Sequence, residues 1–422
     1  MVPGLWWAWQ FTGVGAVALV VVEAAILALG VVATPPGRAT YLMIPASLLL
    51  ASALRAHLPL GGLPIADLAQ GQVAGPLLEL ARLGGPLMVV AATVGLGTAI
   101  AAVLQRELRL RGLAAVALIA VAVLLAWAAP DGGRPSRTLP VASVQGGGLR
   151  GFTALEVDPA SVLRAHLDAL ASLKATQVRG GLVLLPENAA ALDLPLRGSV
   201  LADELSAEAR RLHATVAIGY TLTLPEDRYR NALAVFAPSG RYLGDVVKRH
   251  RVPFGEYVPM RSLLSRLANL EAVPRDATIG SGDGTIATPA GKLGVAISYE
   301  VFYAHQVDGS VRDGAQLLVV PTNTASYPTA QVPTMELAAA RLDAVASGRD
   351  LAQAAPTGYS ALIDHRGRVL ERSALGGREV LVRELSLRNG ETVATWLGPW
   401  PIVVVALLGL SLSWWRRGRR YS

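Results

Sequence analysis

Four stretches of this chain run almost free of charge for the length of a membrane crossing: Gly13 to Ala33, Leu87 to Leu104, Leu113 to Ala129 and Trp396 to Trp415. A bilayer's hydrocarbon core takes about 20 mostly apolar residues per helix, and inside it every backbone N–H and C=O must find a partner within the segment. These runs have that length. A fifth, Tyr41 to Ala56, is shorter, carries Arg55 and is followed by His57. The sequence therefore predicts about five transmembrane helices. Glu23 falls in the middle of the first, where a carboxyl is costly in hydrocarbon and belongs against a bundle interior or a partner. The first run has no basic residue before it and no convincing small-residue cleavage site after it, so it does not read as a secretory signal.

Residues 136 to 390 have the mixed composition of a water-soluble domain, so the chain faces two solvents. Its overall 52% hydrophobic and 16% charged residues average the two. The expected division is a helical membrane region at 1 to 135, a soluble domain at 136 to 390, and a final membrane helix with a basic tail at 391 to 422. Arg106, Arg109 and Arg111 lie between the third and fourth spans, and Arg416, Arg417, Arg419 and Arg420 follow the fifth. Basic loops stay in the cytoplasm. Both clusters then put the soluble domain on the extracytoplasmic face of the cell membrane. The net charge of +7 reflects this topology, and without an aromatic-interleaved basic stripe it does not point to nucleic acid.

The chain has no cysteine, so the external domain is held by its core rather than by disulfides. About 250 residues suffice for one. The six histidines are scattered without metal-ligand spacing, and neither a metal nor a cofactor is expected. Within the domain, β runs alternate with helical patterns. LPVASVQGG, GGLVLLPENAA, TVAIGYTL, NALAVFAPSGRYLGDVVK, LGVAISYE and AQLLVVPTN read as strands, and DPASVLRAHLDALASLKA and LADELSAEARRLHA as helices. YSALIDHRGRVLERS reads as a late hairpin turning at Asp364 to Gly367. Such alternation implies α/β layering. The segment MRSLLSRLANL after Pro259 has leucines on one helical face, as an amphipathic lip would.

Three polar side chains stand directly after apolar strands: Glu187 after LVLLP, Lys248 after YLGDVV and Ser298 after LGVAI. Strand ends converge on one edge of a sheet, which is how α/β enzymes assemble a site.

Around these residues the chain resembles the carbon-nitrogen hydrolase (nitrilase) superfamily, and within it the membrane-embedded apolipoprotein N-acyltransferases. The most specific motif is KRHRVPFGEYVP at 248 to 259, supported by LLPENA, SYE at 298 to 300, PTNTASY at 321 to 327 and GYSALIDHRGRV at 358 to 369. The resemblance implies a nitrilase-like αββα sandwich inserted between membrane helices, a phospholipid as acyl donor and the N-terminal amine of a lipoprotein as acceptor. It makes Glu187 the general base, Lys248 the oxyanion partner and Glu256 a second, orienting carboxylate. Tyr299 and Glu300 would shape the pocket beside the nucleophile. Ser298 sits where the family has cysteine.

That exchange matters chemically. A thiol, with a free pKa near 8.5, is already slightly ionised at neutral pH, whereas a hydroxyl needs a dedicated base. His250, the nearest histidine in sequence to Lys248, reads as a surface residue. In RLDAVASGRD, Asp343 and Ala346 take places where the family carries a basic and an acidic residue, which points to natural divergence. The resemblance, with this exchange, leaves two functions: an N-acyltransferase impaired at Ser298, or an inactive nitrilase-fold membrane protein that binds lipid or lipoprotein, or serves as a partner subunit.

Overall fold

The computed structural model describes residues 1–11, 13–37, 40–264 and 273–419. The chain divides into two compact units, one of Met1–Asp131, Val345–Gly348 and Glu391–Ser422, the other of Gly132–Ala344 and Arg349–Gly390.

The first unit is helical. Among the described residues, Gly13–Val32, Pro76–Val103 and Arg109–Ala128 are long and apolar enough to cross a membrane. Thr40–Arg55 has 16 residues with Pro45 inside it, and Trp400–Gly418 has 19 with Arg416 and Arg417 in its last turn. The backbone leaves helical geometry at Gly84 and Gly85, just before Pro86. Proline fits a helix best in its first turn, so the apolar run begins afresh there. Val14, Leu118, Leu124, Val405 and Leu408 are exposed, and helices apolar on their outer faces are what hydrocarbon requires. Glu23 is instead fully buried and bonded to the Arg55 guanidinium. Arg55 also donates from Nη2 to the carbonyls of Leu63 at 3.2 Å and Ile65 at 2.9 Å. One guanidinium thereby neutralises a mid-helix carboxyl and ties down the chain that follows Thr40–Arg55.

Among the described residues, the second unit is built on two stacked mixed sheets. One has eight strands, with Arg137–Gln145, Leu182–Leu184 and Thr215–Leu224 parallel at its centre, then the hairpin Arg228–Phe236 and Tyr242–Val247. The other has six, with Gly291–Val295, Leu317–Pro321 and Leu351–Ala354 parallel at its centre. Side chains alternate across a strand, and here both faces are covered. Val141, Leu182, Leu184, Ala217, Leu233 and Val235 pack against Leu293, Val295, Leu317 and Val319 between the sheets. Their neighbours Ala142, Val183, Leu185, Val216 and Ile218 point the other way, into a second core with Leu170, Leu205 and Leu212. Those last three come from Pro159–Ala171 and Val200–Leu212, helices opened by Asp158 and Ser199 caps. On the six-stranded sheet, Ala304–Arg312 packs beside Gly291–Val295, and Gln331–Ser347 links two parallel strands. The result is the αββα layering, with strands apolar throughout because both their faces are buried.

The hairpin turning at Asp364 is present, between Ala361–Ile363 and Val369–Arg372. The Asp364 carboxylate accepts from the N–H groups of Arg366 and Arg368 at 3.0 and 2.9 Å. Of the amphipathic segment after Pro259, Arg261–Leu264 is helical, and residues 265–272 lie outside the described residues.

Candidate active site

Glu187 stands in the turn after Leu182–Leu184, where Asn188 takes a positive φ of 54°. The turn is held to the neighbouring strand by the Gly219 N–H, which donates to the Pro186 carbonyl at 3.1 Å. It can lie so close because Gly219 has no side chain: a Cβ there would meet the Pro186 oxygen at 2.4 Å and the Glu187 Cα at 2.6 Å. Lys248 follows Tyr242–Val247, and its own N–H extends the hairpin ladder to the Asn231 carbonyl at 2.9 Å. Glu256 sits in a loop in which Phe254 has a φ of 60°, and its Oε2 accepts from the Val252 N–H at 2.9 Å.

These side chains meet in one buried cluster. Lys248 Nζ lies 2.9 Å from Glu187 Oε1 and 2.7 Å from Glu256 Oε1. The Asn231 amide donates to the same two oxygens, at 2.8 and 3.2 Å. Lys248 is 1% exposed and Glu187 3%. Burial pulls an ammonium's pKa down, but the two carboxylates outweigh it and leave Lys248 above the ordinary lysine value. The lysine is therefore a fixed cation, not a proton donor near neutral pH.

The strand aimed at Ser298 ends at Val295, and Ser298–Phe302 is a 3-10 helix. Ser298 opens it with a φ of +53°, a conformation uncommon outside glycine. Its side chain is buried. The bend is locked by Glu300. Its Oε2 accepts from the Ile297 N–H at 2.8 Å, and its Oε1 from the N–H groups of Arg249 and His250 at 2.6 and 2.9 Å. Burial raises the Glu300 pKa, with the Arg249 and Lys248 charges and the Ile297 and Arg249 N–H groups acting against it. Glu300 thus acts on the site through the backbone. Tyr299 packs its ring near Phe302, Tyr303 and His250. His250 is half-buried rather than a surface residue, with its ring 3.8 Å from that of Tyr303. Burial, followed by the charges of His305 and Lys248, pulls its pKa down to about 4.

Two members of the cluster escape sequence reasoning. Asn231 is one polar residue within a strand that is otherwise apolar where it is buried. Glu336 lies on Gln331–Ser347, 3% exposed, and its Oε1 accepts from the Thr322 hydroxyl at 2.7 Å. Burial pushes the Glu336 carboxyl up to about 7; the Thr322 and Ser298 hydroxyls and the Lys248 charge oppose this, and Glu187 adds to it. The one available signal is that Glu336 is the lone charge in AQVPTMELAAA. Asp343, noted in the sequence as a departure, is buried on the same helix, and burial with the nearby Asp308 raises its pKa well above the ordinary value.

A buried ammonium between two carboxylates, beside a strained turn carrying a hydroxyl, suits attack on a carbonyl with the oxyanion met by Lys248. The profile of the carbon-nitrogen hydrolase family matches residues 141–395. An apolipoprotein N-acyltransferase of Vibrio vulnificus strain CMCP6 is 28% identical over 400 residues, covering 90% of this chain and 75% of that protein. One from Azotobacter vinelandii is 30% identical over 378 residues, covering 85% and 70%. Among solved structures, a branch 10 nitrilase-superfamily member from Saccharomyces cerevisiae is similar at a TM-score of 0.44 and 21% identity, over 60% of this chain and 91% of that one. The family match spans more than half of the chain, and the relatives cover most of it: the chain belongs to the carbon-nitrogen hydrolase family and, within it, to the apolipoprotein N-acyltransferases.

Proposed function

We propose that this membrane protein N-acylates lipoproteins, taking an acyl chain from a phospholipid onto Ser298 and passing it to the N-terminal amine of the acceptor. The observation that carries this is the buried Glu187–Lys248–Glu256 cluster beside the Ser298 turn. In the first half-reaction Ser298 Oγ bonds to the donor's ester carbonyl, and the bond to the glycerol oxygen breaks. In the second, the neutral amine nitrogen bonds to the same carbonyl carbon and the Oγ–carbon bond breaks. Lys248 uses two of its three donors on Glu187 and Glu256; the third serves the oxyanion of both tetrahedral intermediates. Glu187, fixed by Lys248 and Asn231, takes the Ser298 O–H proton and returns it to the leaving glycerol oxygen, and in the second half-reaction carries the amine's proton back to Oγ. A protein of this activity works where lipoproteins mature, and the arginine clusters at 106 to 111 and 416 to 420 support a multi-pass arrangement with residues 136 to 390 outside the cytoplasm.

The test is acyl transfer by the full chain in liposomes of phospholipid with labelled acyl chains, with a diacylated lipopeptide as acceptor. The expected results are a labelled amide on the lipopeptide and an acyl mass on the peptide containing Ser298. Ser298→Ala should lose both, and Ser298→Cys should accumulate a thioester. Absence of transfer from both the serine and the cysteine forms would overturn the assignment and leave a lipid-binding role.

A further inference from the structure

We propose that one end of the helical unit is a binding surface for anionic phospholipid headgroups, formed by two arginine clusters far apart in the sequence. Gly13–Val32 ends and Thr40–Arg55 begins at the short connection 33–39, and Pro76–Val103 ends and Arg109–Ala128 begins at 104–108. The Gln105 side-chain amide donates to the Tyr41 hydroxyl, which joins the two connections. The last helix, Trp400–Gly418, reaches the first of them: the Trp414 indole N–H donates to the Ala33 carbonyl at 2.9 Å, and Arg417 Nη1 to the Pro36 carbonyl at 3.3 Å. All five helices therefore meet at this end, with Arg106, Arg109 and Arg111 from one connection and Arg416, Arg417 and Arg419 from the last helix. All but the half-buried Arg417 are exposed. Segments 33–41, 104–111 and 413–422 together carry eight arginines against the single acid Glu107, a difference equal to the net charge of the whole chain, +7. The rest of the chain balances to zero.

The setting of this charge says what meets it. The arginines are interleaved with exposed apolar side chains, Leu104, Leu110, Leu412, Trp414 and Trp415. The Arg419 guanidinium lies 4.0 Å from the centre of the Trp415 ring, and that of Arg417 lies 5.7 Å from the Trp414 ring. Indoles and long basic side chains in this mixture belong to the boundary where hydrocarbon gives way to headgroups. An acidic protein or a nucleic acid would meet the charge and leave the leucines and indoles in water. A lipid meets both, with phosphate oxygens against the guanidinium forks and acyl chains along the apolar helix faces. The headgroup has to carry a net negative charge, because a zwitterionic one brings its own cation. Each arginine held at an anionic surface adds roughly fivefold to affinity, through an attraction that salt screens.

Native mass spectrometry reads this surface without turnover, so its outcome does not depend on acyl transfer. The purified full chain in detergent is titrated with phosphatidylglycerol, or with phosphatidylcholine of the same acyl chains, at low and high ammonium acetate. The chain should hold phosphatidylglycerol at least about tenfold more tightly, and the preference should shrink as salt rises. A parent that binds the two lipids within about twofold of each other, or a preference that salt leaves unchanged, overturns the proposal, and neither result depends on a variant folding. Arg416→Gln with Arg417→Gln and Arg419→Gln should lower the preference by at least about fivefold, and so should Arg106→Gln with Arg109→Gln and Arg111→Gln. Arg416→Lys with Arg417→Lys and Arg419→Lys should keep most of it, which separates lost charge from lost fold. Any lipid held at Ser298 is a background common to all these variants. A preference that survives both sets of glutamines refutes the surface. Soluble glycerol phosphate should displace no phosphatidylglycerol; displacement at equal concentration would mark a site for free anions and overturn the assignment to lipid.

Discussion

Lys248→Met is the sharpest test of the buried cluster. The substitution fills the same space but withdraws the charge that Glu187 and Glu256 share, each within 2.9 Å of Nζ. Both Oε1 atoms would still crowd the same Asn231 amide. Two carboxylates about 5 Å apart repel by roughly 3 kcal/mol at an effective dielectric of about 20, and orphaning one side of a buried ion pair typically costs about 3–5 kcal/mol. At pH 8 the variant should therefore lose about 3–5 kcal/mol, a fall of roughly 10 °C in Tm for a unit of this size. The pH dependence is what separates charge balance from simple packing. In the parent, the raised Lys248 keeps its charge throughout pH 5 to 8, so its contribution is constant there. In the variant at least one carboxyl is raised above its unfolded value of about 4.3, so its contribution is present at low pH and lost as pH rises through the raised value. The gap between variant and parent should be small at pH 5 and full at pH 8. Thermal unfolding of the full chain in detergent at both values measures it, and Lys248→Met with Glu256→Gln should recover about half the loss. A gap equal at the two pH values, or no recovery in the double variant, would refute the account of a charge-balanced core.

Gly219→Ala should cost at least about 2 kcal/mol and lower acyl transfer more than about tenfold, because its Cβ would press on the Pro186–Glu187 backbone; unchanged activity refutes this. Asp308, pushed up to about 7 by burial with Arg312 opposing, should cost stability as pH rises from about 4 to 7. Asp308→Asn should then gain on the parent by on the order of 4 kcal/mol between pH 4 and pH 8, and melting curves that keep a constant gap would contradict it. Reporter fusions at Ser136 and Ser422 should fall on opposite sides of the membrane, and finding both on one side refutes the orientation drawn from the arginines.

The sandwich is legible in the sequence because its strands are short apolar runs bounded by turn residues, a pattern that survives whatever they pack against. Glu187 and Lys248 are legible for a related reason: a charge at the end of such a run has no apolar explanation. Glu336 and Asn231 stay hidden because a single polar residue on a helix or strand reads the same whether it faces water or a neighbouring carboxyl, and only tertiary packing tells. His250 sits among basic neighbours that suggest a solvated surface, whereas in the fold its ring is packed against those of Tyr303 and Tyr299, contacts that no local pattern reveals.

Glu300 has a consequence for how this site can change over time. One carboxylate holds two stretches of backbone, at Ile297 beside Ser298 and at Arg249 and His250 beside Lys248. None of those bonds involves the side chain at 298. The scaffold is therefore indifferent to which atom it presents, sulfur or oxygen, and an exchange there alters reactivity without altering shape. A site built this way can pass from one chemistry to another through folded intermediates, provided a new partner for the exchanged atom arises nearby. It also means that Glu300 is the residue such a lineage is least free to lose, since its removal would release the Lys248 loop and the Ser298 turn from each other in one step.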